Sequence, residues 1–413
     1  MVFQYKDAEV GREASSLAMQ LLQSLLPEDL RSGTAPEADW AFEAARDSFI
    51  RYAQRREFGP STGSLVKAAE ERGIPWLRLN RYSLVQFGHG RYQQRIQATT
   101  TGRTSNIAVE LAGDKEETNS ILRDLGLPVP KQIMVQSESG AVKAAERIGY
   151  PVVLKPLSAN HGRGVSINLR TPEEIEVAFD KAREHHRTVI VETYIDGFDH
   201  RILVINGELI AAAKRVPGHV VGDGKHTIEE LVDIVNEDPR RGVGHEKVLT
   251  RLEFDHQAER LLAKTGYDHK TVPKKGEVVY LRSTANLSTG GTAIDVTDIM
   301  HPDNREMAIR AIKAIGLDIG GVDFLTRDIS ESYREAGGGI CEVNAGPGFR
   351  MHVAPSEGKS RDVAGPVIDM LFPSDKPSRI PIAAVTGTNG KTTTSRMLAH
   401  VLKMSGLTVG LTS

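Results

Sequence analysis

The sequence is poor in cysteine, in aromatic residues and in long apolar runs, and it has almost no net charge. Cys341 is the single cysteine among 413 residues. That excludes an internal disulfide framework and suits a reducing cytoplasm. It lies in an apolar stretch, where a packed thiol is expected in place of a nucleophile. No apolar run approaches the roughly 20 residues of a membrane span. The first residues, Met-Val-Phe-Gln-Tyr-Lys, lack the charged-then-apolar pattern of an export signal. No membrane partner is therefore expected, and a cytoplasmic location is. A net charge of −2 leaves no basic surface for nucleic acid. No Ser/His/Asp or Cys/His constellation is evident, so hydrolytic chemistry is not indicated. The apolar content of 39% is that of a globular chain, and the length suggests two or three domains.

Two neighbouring apolar stretches organise what is present. Residues 319–326 and 339–344 are short, β-branched and flanked by glycine, which predicts strands. Glu342 and Asn344 are two apart, so they share one face of their strand. Asp323 on the adjacent strand would complete a cluster of hard oxygens suited to Mg²⁺ held against phosphates. The same residues are equally compatible with polar strand ends satisfied by caps or solvent.

Upstream, Val10, Ala14, Leu17, Leu21 and Leu25 recur at helical spacing, and Pro27 ends the run. A second helix is expected over 37–54. The segment Gly59-Pro-Ser-Thr opens a third, with Ser61 or Thr62 as its cap or as part of an anion site. Two short strands follow at 76–80 and 83–87. Residues 89–105 are polar and carry Arg91, Arg95 and Arg103. They suit either a solvated linker or a surface for an acidic ligand.

From Lys115 onward helices and strands alternate, which predicts α+β or α/β architecture. Pro151-Val-Val-Leu-Lys-Pro156 is a buried strand delivering Lys155. A flexible loop over 158–165 follows, where Gly162 and Gly164 let backbone N–H groups approach phosphates and Arg163 adds charge. Thr171-Pro-Glu-Glu174 is a capping box. Residues 188–195 form a strand, and 199–215 a hairpin turning at Asn206-Gly207. Helices are expected near 227–237, 253–264, 301–315 and 360–371. After a linker at 373–381, Ile382-Ala-Ala-Val-Thr-Gly-Thr-Asn-Gly-Lys-Thr-Thr-Thr394 predicts a strand, a glycine loop and a helix start, with another strand over 407–412. Gly387, Gly390, Lys391 and Thr392 occupy P-loop places, although Val385 stands where the usual spacing has glycine. One such unit cannot bury both faces of a sheet, so the last segment is expected to open an incomplete domain.

Together these elements resemble the ATP-grasp carboxylate–amine ligases. In that family two α+β lobes trap ATP, a carboxylate attacks the γ-phosphate, and an amine displaces phosphate from the acylphosphate. The resemblance implies that Lys115, Lys155, Glu192, Tyr194, Asp199 and Lys214 hold the nucleotide. It places His161 and Arg163 on the closing loop, gives Arg282 a negatively charged intermediate, and gives Asp323, Glu342 and Asn344 two Mg²⁺ ions. Ala384-Val-Thr-Gly-Thr-Asn-Gly-Lys-Thr-Thr393 is similar to the nucleotide loop of the Mur ligases. The order of the two, with Tyr82-Ser-Leu-Val-Gln-Phe-Gly, Arg95-Ile-Gln-Ala-Thr, Asn160-His-Gly-Arg-Gly-Val and Val221-Gly-Asp-Gly, resembles the cyanophycin synthetase family.

That resemblance implies a polymerase of L-aspartate and L-arginine acting on a cyanophycin primer, and a homo-oligomer. It divides the chain into a polymer-holding region at 1–108, an ATP-grasp domain at 109–375 and the start of a Mur-like domain at 376–413. Family members extend past both ends, so a fragment is expected in which Lys391 and Thr392 cannot support arginine addition. A D-Ala–D-Ala or glutathione-type ligase, or a piece that only binds polymer, are the alternatives.

Overall fold

The computed structural model describes residues 3, 5, 7–31, 40–158, 164–242 and 247–412. Helices Ala8–Leu25 and Phe42–Arg56 pack on each other, and helix Pro60–Glu71 lies on the body of the protein. Gly59 is the N-cap of the third helix, with Pro60 in its first turn and no side-chain cap. Ser61 and Thr62 therefore do not cap it. The Ser61 hydroxyl instead accepts the Phe349 N–H at 2.9 Å.

An antiparallel four-stranded meander follows: Trp76–Arg78, Leu84–Phe87, Gln94–Gln97 and Thr100–Thr101. Its last two strands fall inside 89–105, where a linker or ligand surface was expected. Only Ile96 of Gln94–Gln97 is buried, so the strand carries one apolar residue and no alternation strong enough to betray it.

The first lobe is an antiparallel sheet in the order Gln132–Val135, Val189–Thr193, Val152–Pro156, Ser166–Leu169. Helices Glu138–Ile148 and Pro172–Arg183 cover it, burying Ala145, Leu154, Ile175, Phe179 and Val191. The capping box of Thr171 and Glu174 starts the second of these helices.

The second lobe is a five-stranded antiparallel sheet. Its order is Thr292–Asp295, Glu208–Val216, Phe198–Ile205, Ile319–Thr326, Gly339–Asn344. The central hairpin turns at Asn206 and Gly207, both with positive φ (52° and 77°), as a two-residue I′ turn requires. Between the strands Glu208–Val216 and Thr292–Asp295, the chain leaves to build a small subdomain. It contains a ribbon of His219–Val221 and Val278–Tyr280 and helices Ile228–Asn236 and His256–Thr265, and has its own apolar core.

The two faces of the five-stranded sheet are covered differently. Ile202, Val204, Val322, Phe324 and Ile340 pack against helix Pro302–Ile315 and the helix pair Asn106–Gly113 and Lys115–Asp124. Leu203, Ile205, Ala211 and Ile319 point the other way. They share one core with Leu65 and Val66 of the N-terminal region and with helix Ala364–Leu371. The N-terminal region is thus the back cover of half of the five-stranded sheet.

Beyond residue 376, helix Lys391–Met404 is the one helix, and the described residues include no strand. The strands expected at 382–386 and 407–412 do not form, because neither has a neighbour to supply its ladder hydrogen bonds. Met397, Val401, Met404 and Leu407 are accordingly exposed.

His200 is buried in this sheet, and burial pushes its pKa down to about 4. The unfolded chain takes up a proton near pH 6.5, and the native one does not until pH approaches 4. Stability is therefore expected to fall as pH falls through this window. The loss from this group is about 1–2 kcal/mol between pH 7 and 5. Urea unfolding at the two pH values checks this, and a His200→Gln protein should lose this group's share of the difference, the buried His352, whose pKa is also pushed down, supplying a share of its own.

Candidate active site

Strand register assembles the site. Asp295, Ala213, Arg201, Asp323 and Glu342 are successive partners across all five strands, so they form one transverse row on one face. Asn344 stands one row away, opposite Gly321. Arg215 and Asp199 pair in the row on the other side. This is the face that further along buries Leu203 and Ile319. The charged rows begin where the N-terminal cover stops.

The Arg201 guanidinium grips Asp323 with two nitrogens, Nε on one carboxylate oxygen and Nη2 on the other at 3.1 Å. Arg215 is held by a single nitrogen. Its Nη2 lies 2.8 Å from Asp323 and 2.6 and 2.7 Å from the two oxygens of Asp199, while its Nε is buried with no partner. Burial pushes the Asp323 carboxyl up, but the two guanidinium groups outweigh it and hold the pKa below the usual range. Asp199 is raised, first by burial and then by the charge of Asp323. His352, fully buried behind the arginines, is driven down to about 3 by burial, with Nε2 unpartnered.

The first lobe faces this row with its own pair. Lys155 Nζ lies 2.6 Å from Glu192, and Gln132 donates to the same carboxylate oxygen at 2.7 Å. Glu192 thus spends one oxygen on protein partners. Tyr194 follows at once, in the crossing between lobes that runs from Thr193 to Phe198. Gly197 in that crossing has φ 150°, and a Cβ there would come within 2.4 Å of the Thr326 carbonyl carbon.

Cys341 occupies the bulge between the pairs Asp323/Glu342 and Phe324/Ile340. The expectation of a packed thiol fails: the residue keeps open surface in a small pocket, although protein crowds round its sulfur. That crowding raises its pKa well above the usual thiol range. The Glu192 carboxylate adds to the rise and Lys155 opposes it, so both lobes act on one atom. The thiol stays protonated and is no nucleophile.

The remaining expected residues divide. Lys115 is the first residue of its helix and shares a small pocket with Cys341 and Glu342. Lys214 lies on the opposite face from the Asp323 row, its Nζ 3.2 Å from the centre of the Phe198 ring, and burial lowers its pKa. Gly164 has φ 71°, and a Cβ there would meet His185 at 2.5 Å, so the loop leaves through a position that only glycine fits. His161, Gly162 and Arg163 lie outside the described residues. Arg282 is buried and anchors the subdomain through Asp255 (3.0 Å) and the Glu253 carbonyl (3.0 Å), with Nε unpartnered.

At the C-terminal loop, Gly387 and Gly390 have φ 143° and 78°. Lys391 Nζ donates to the Gly387 carbonyl at 2.5 Å and to that of Thr388 at 3.2 Å. Thr392 is the second, exposed residue of the helix.

Arg201, Arg215 and Gln132 escaped the sequence analysis as site residues. The signal for Arg201 was present, since it alternates with Asp199 on the same strand face.

Residues 110–219 match the family model of an ATP-grasp domain. The chain carries an ATP-grasp domain. Over its whole length this ATP-grasp chain is 51% identical to a cyanophycin synthetase of Crocosphaera subtropica and 50% identical to one of Trichormus variabilis. It spans 47% and 45% of those proteins, about half of each. A solved bifunctional glutathione synthetase from Pasteurella multocida superposes with a TM-score of 0.64 at 30% identity. That likeness covers 80% of this chain and 47% of the other. No helix of the described residues is long and apolar enough to cross a membrane.

Proposed function

We propose that this chain is the aspartate-adding part of a cyanophycin synthetase. Identity of about one half along the whole chain to two such enzymes carries the proposal. In this scheme a carboxylate oxygen at the C-terminal end of the polymer attacks the γ-phosphorus of ATP, and ADP leaves. The amine of L-aspartate then attacks the acylphosphate carbonyl, phosphate leaves, and an amide remains. Such chemistry needs positioning and charge neutralisation more than a protein nucleophile.

The donors available fit Mg²⁺. Asp323 and Glu342 are neighbours in one row and Asn344 adds an amide whose Nδ2 is buried without a partner. Among the described residues no three or more His, Cys, Asp or Glu side chains converge as a metal cage. Two carboxylates and an amide suit an ion that shares its coordination with substrate phosphates. When bound, that ion would neutralise charge on the transferred phosphoryl group.

Lys155 and Lys115 bring positive charge to the phosphates, while Glu192, Tyr194 and Asp199 line the crossing where a nucleoside would lie. Lys391 and Thr392 are the nucleotide-loop residues of a Mur-like domain that attaches L-arginine to the aspartate side chain in the complete enzyme.

ADP release is the test, with ATP, Mg²⁺ and a short cyanophycin primer. Release is expected with L-aspartate and not with L-arginine. Release driven by glycine in place of aspartate would favour a glutathione-type ligase, and arginine-driven release would overturn the expectation that Lys391 and Thr392 cannot support arginine addition in this chain.

A further inference from the structure

Both strands that carry the proposed metal donors are gripped at their far ends by hydroxyl groups of the N-terminal region. Thr101 and Thr104 donate to the two oxygens of Asp318 at 2.5 and 2.6 Å. Asp318 immediately precedes the strand Ile319–Thr326 that bears Asp323. The Thr99 hydroxyl, buried, donates to the Pro347 carbonyl at 3.0 Å. Pro347 follows the strand Gly339–Asn344 by three residues. Two residues further along the same turn, Phe349 donates its N–H to Ser61.

These contacts join residues more than 200 positions apart. Two of them, from Thr99 and Ser61, converge on a turn that touches the site. Pro347 lies against Gly321, where a Cβ would come within 2.9 Å of the proline Cβ. Gly321 is the strand partner of Asn344 and lies two residues before Asp323. A buried neutral hydroxyl with one acceptor is a specific constraint, because the alternative is an unpaired polar group in an apolar core.

We infer that Thr99 and Ser61 are positioning residues for the divalent-cation site. They pin the turn 345–349 to the N-terminal region, so that Asn344 and Glu342 keep their places beside Asp323. This rests on the reading of those three residues as the metal donors. On this view the N-terminal region serves the chemistry of the ligase lobe as well as covering its sheet. The threonine-rich run 99–104 is the clamp by which it does so.

The test is titration calorimetry of ADP into the purified chain, with and without Mg²⁺. It compares the unaltered protein with Thr99→Val, Thr99→Ser and Ser61→Ala. Valine keeps the β-branched shape and removes the hydroxyl, while serine keeps the hydroxyl. In the Thr99→Val and Ser61→Ala proteins the gain in ADP affinity due to Mg²⁺ is expected to fall by about fivefold or more. Metal-free ADP binding should be unchanged, and Thr99→Ser should behave as the unaltered protein. Unfolding midpoints measured alongside separate this from loss of fold, and Ser61→Ala stands in if Thr99→Val does not fold. Wild-type Mg²⁺ enhancement in both variants would overturn the clamp, as would an equal loss with and without metal. If the unaltered protein itself shows no Mg²⁺ enhancement, the metal reading fails and the clamp falls with it.

Discussion

Replacing Asp323 by alanine is expected to cost about 3–5 kcal/mol of stability and to lower aspartate-dependent ADP release by about 10²–10³. The two effects have separate causes. The carboxylate is buried and accepts from two guanidinium groups, one of them, Arg201, engaged through two of its three nitrogens. Arg215 keeps Asp199 when Asp323 is gone. Arg201 does not, and it is left as a buried cation facing an apolar methyl. That asymmetry makes Arg201 the source of the instability. A double change, Asp323→Ala with Arg201→Met, is then expected to recover much of the stability and none of the activity. Denaturant unfolding and the ADP assay read the two quantities independently. A stable Asp323→Ala protein that still released ADP would show that this row is not the reaction site.

The second large effect concerns the joint between regions. Phe349 is fully buried in the core that the N-terminal helix Pro60–Glu71 shares with the back of the ligase sheet. Truncation to alanine removes the ring and leaves a cavity between two bodies that cannot easily collapse onto it. A loss of about 3–5 kcal/mol is expected. Because the ring serves both regions, fluorescence from Trp76, which packs against the same core, and far-UV circular dichroism should shift together in urea. A change of less than about 1 kcal/mol, or two transitions that separate, would show that the N-terminal region folds independently of the sheet.

How far the sequence reveals this site depends on how local each cause is. Asp323, Glu342 and Asn344 could be read because short apolar strands between glycines fix which residues share a face. The hairpin at Asn206-Gly207 and the box at Thr171 are equally local, being set by a few neighbouring residues. Arg201 was legible only as an alternating residue, since its partner lies 122 positions away and nothing near it announces a carboxylate. The strands Gln94–Gln97 and Thr100–Thr101 were not legible at all. Their side chains are polar and, apart from Ile96 and Thr101, not buried, and that pattern is the same as that of a solvated loop. The opposite error at 382–386 and 407–412 has the same root. An apolar β-branched run states a preference, but a strand exists only where another strand offers its N–H and C=O groups.

The back cover of the ligase sheet also restricts how this sequence can drift. Leu203, Ile205, Ala211 and Ile319 meet Leu65, Val66 and Val367 in one close-packed layer. A methyl group gained on one side must be given up on another, three or more hundred positions along the chain in some cases. The N-terminal region and the five-stranded sheet are therefore constrained as a matched pair. Grafting either one from a distant relative would bring together two surfaces that had never been fitted to each other.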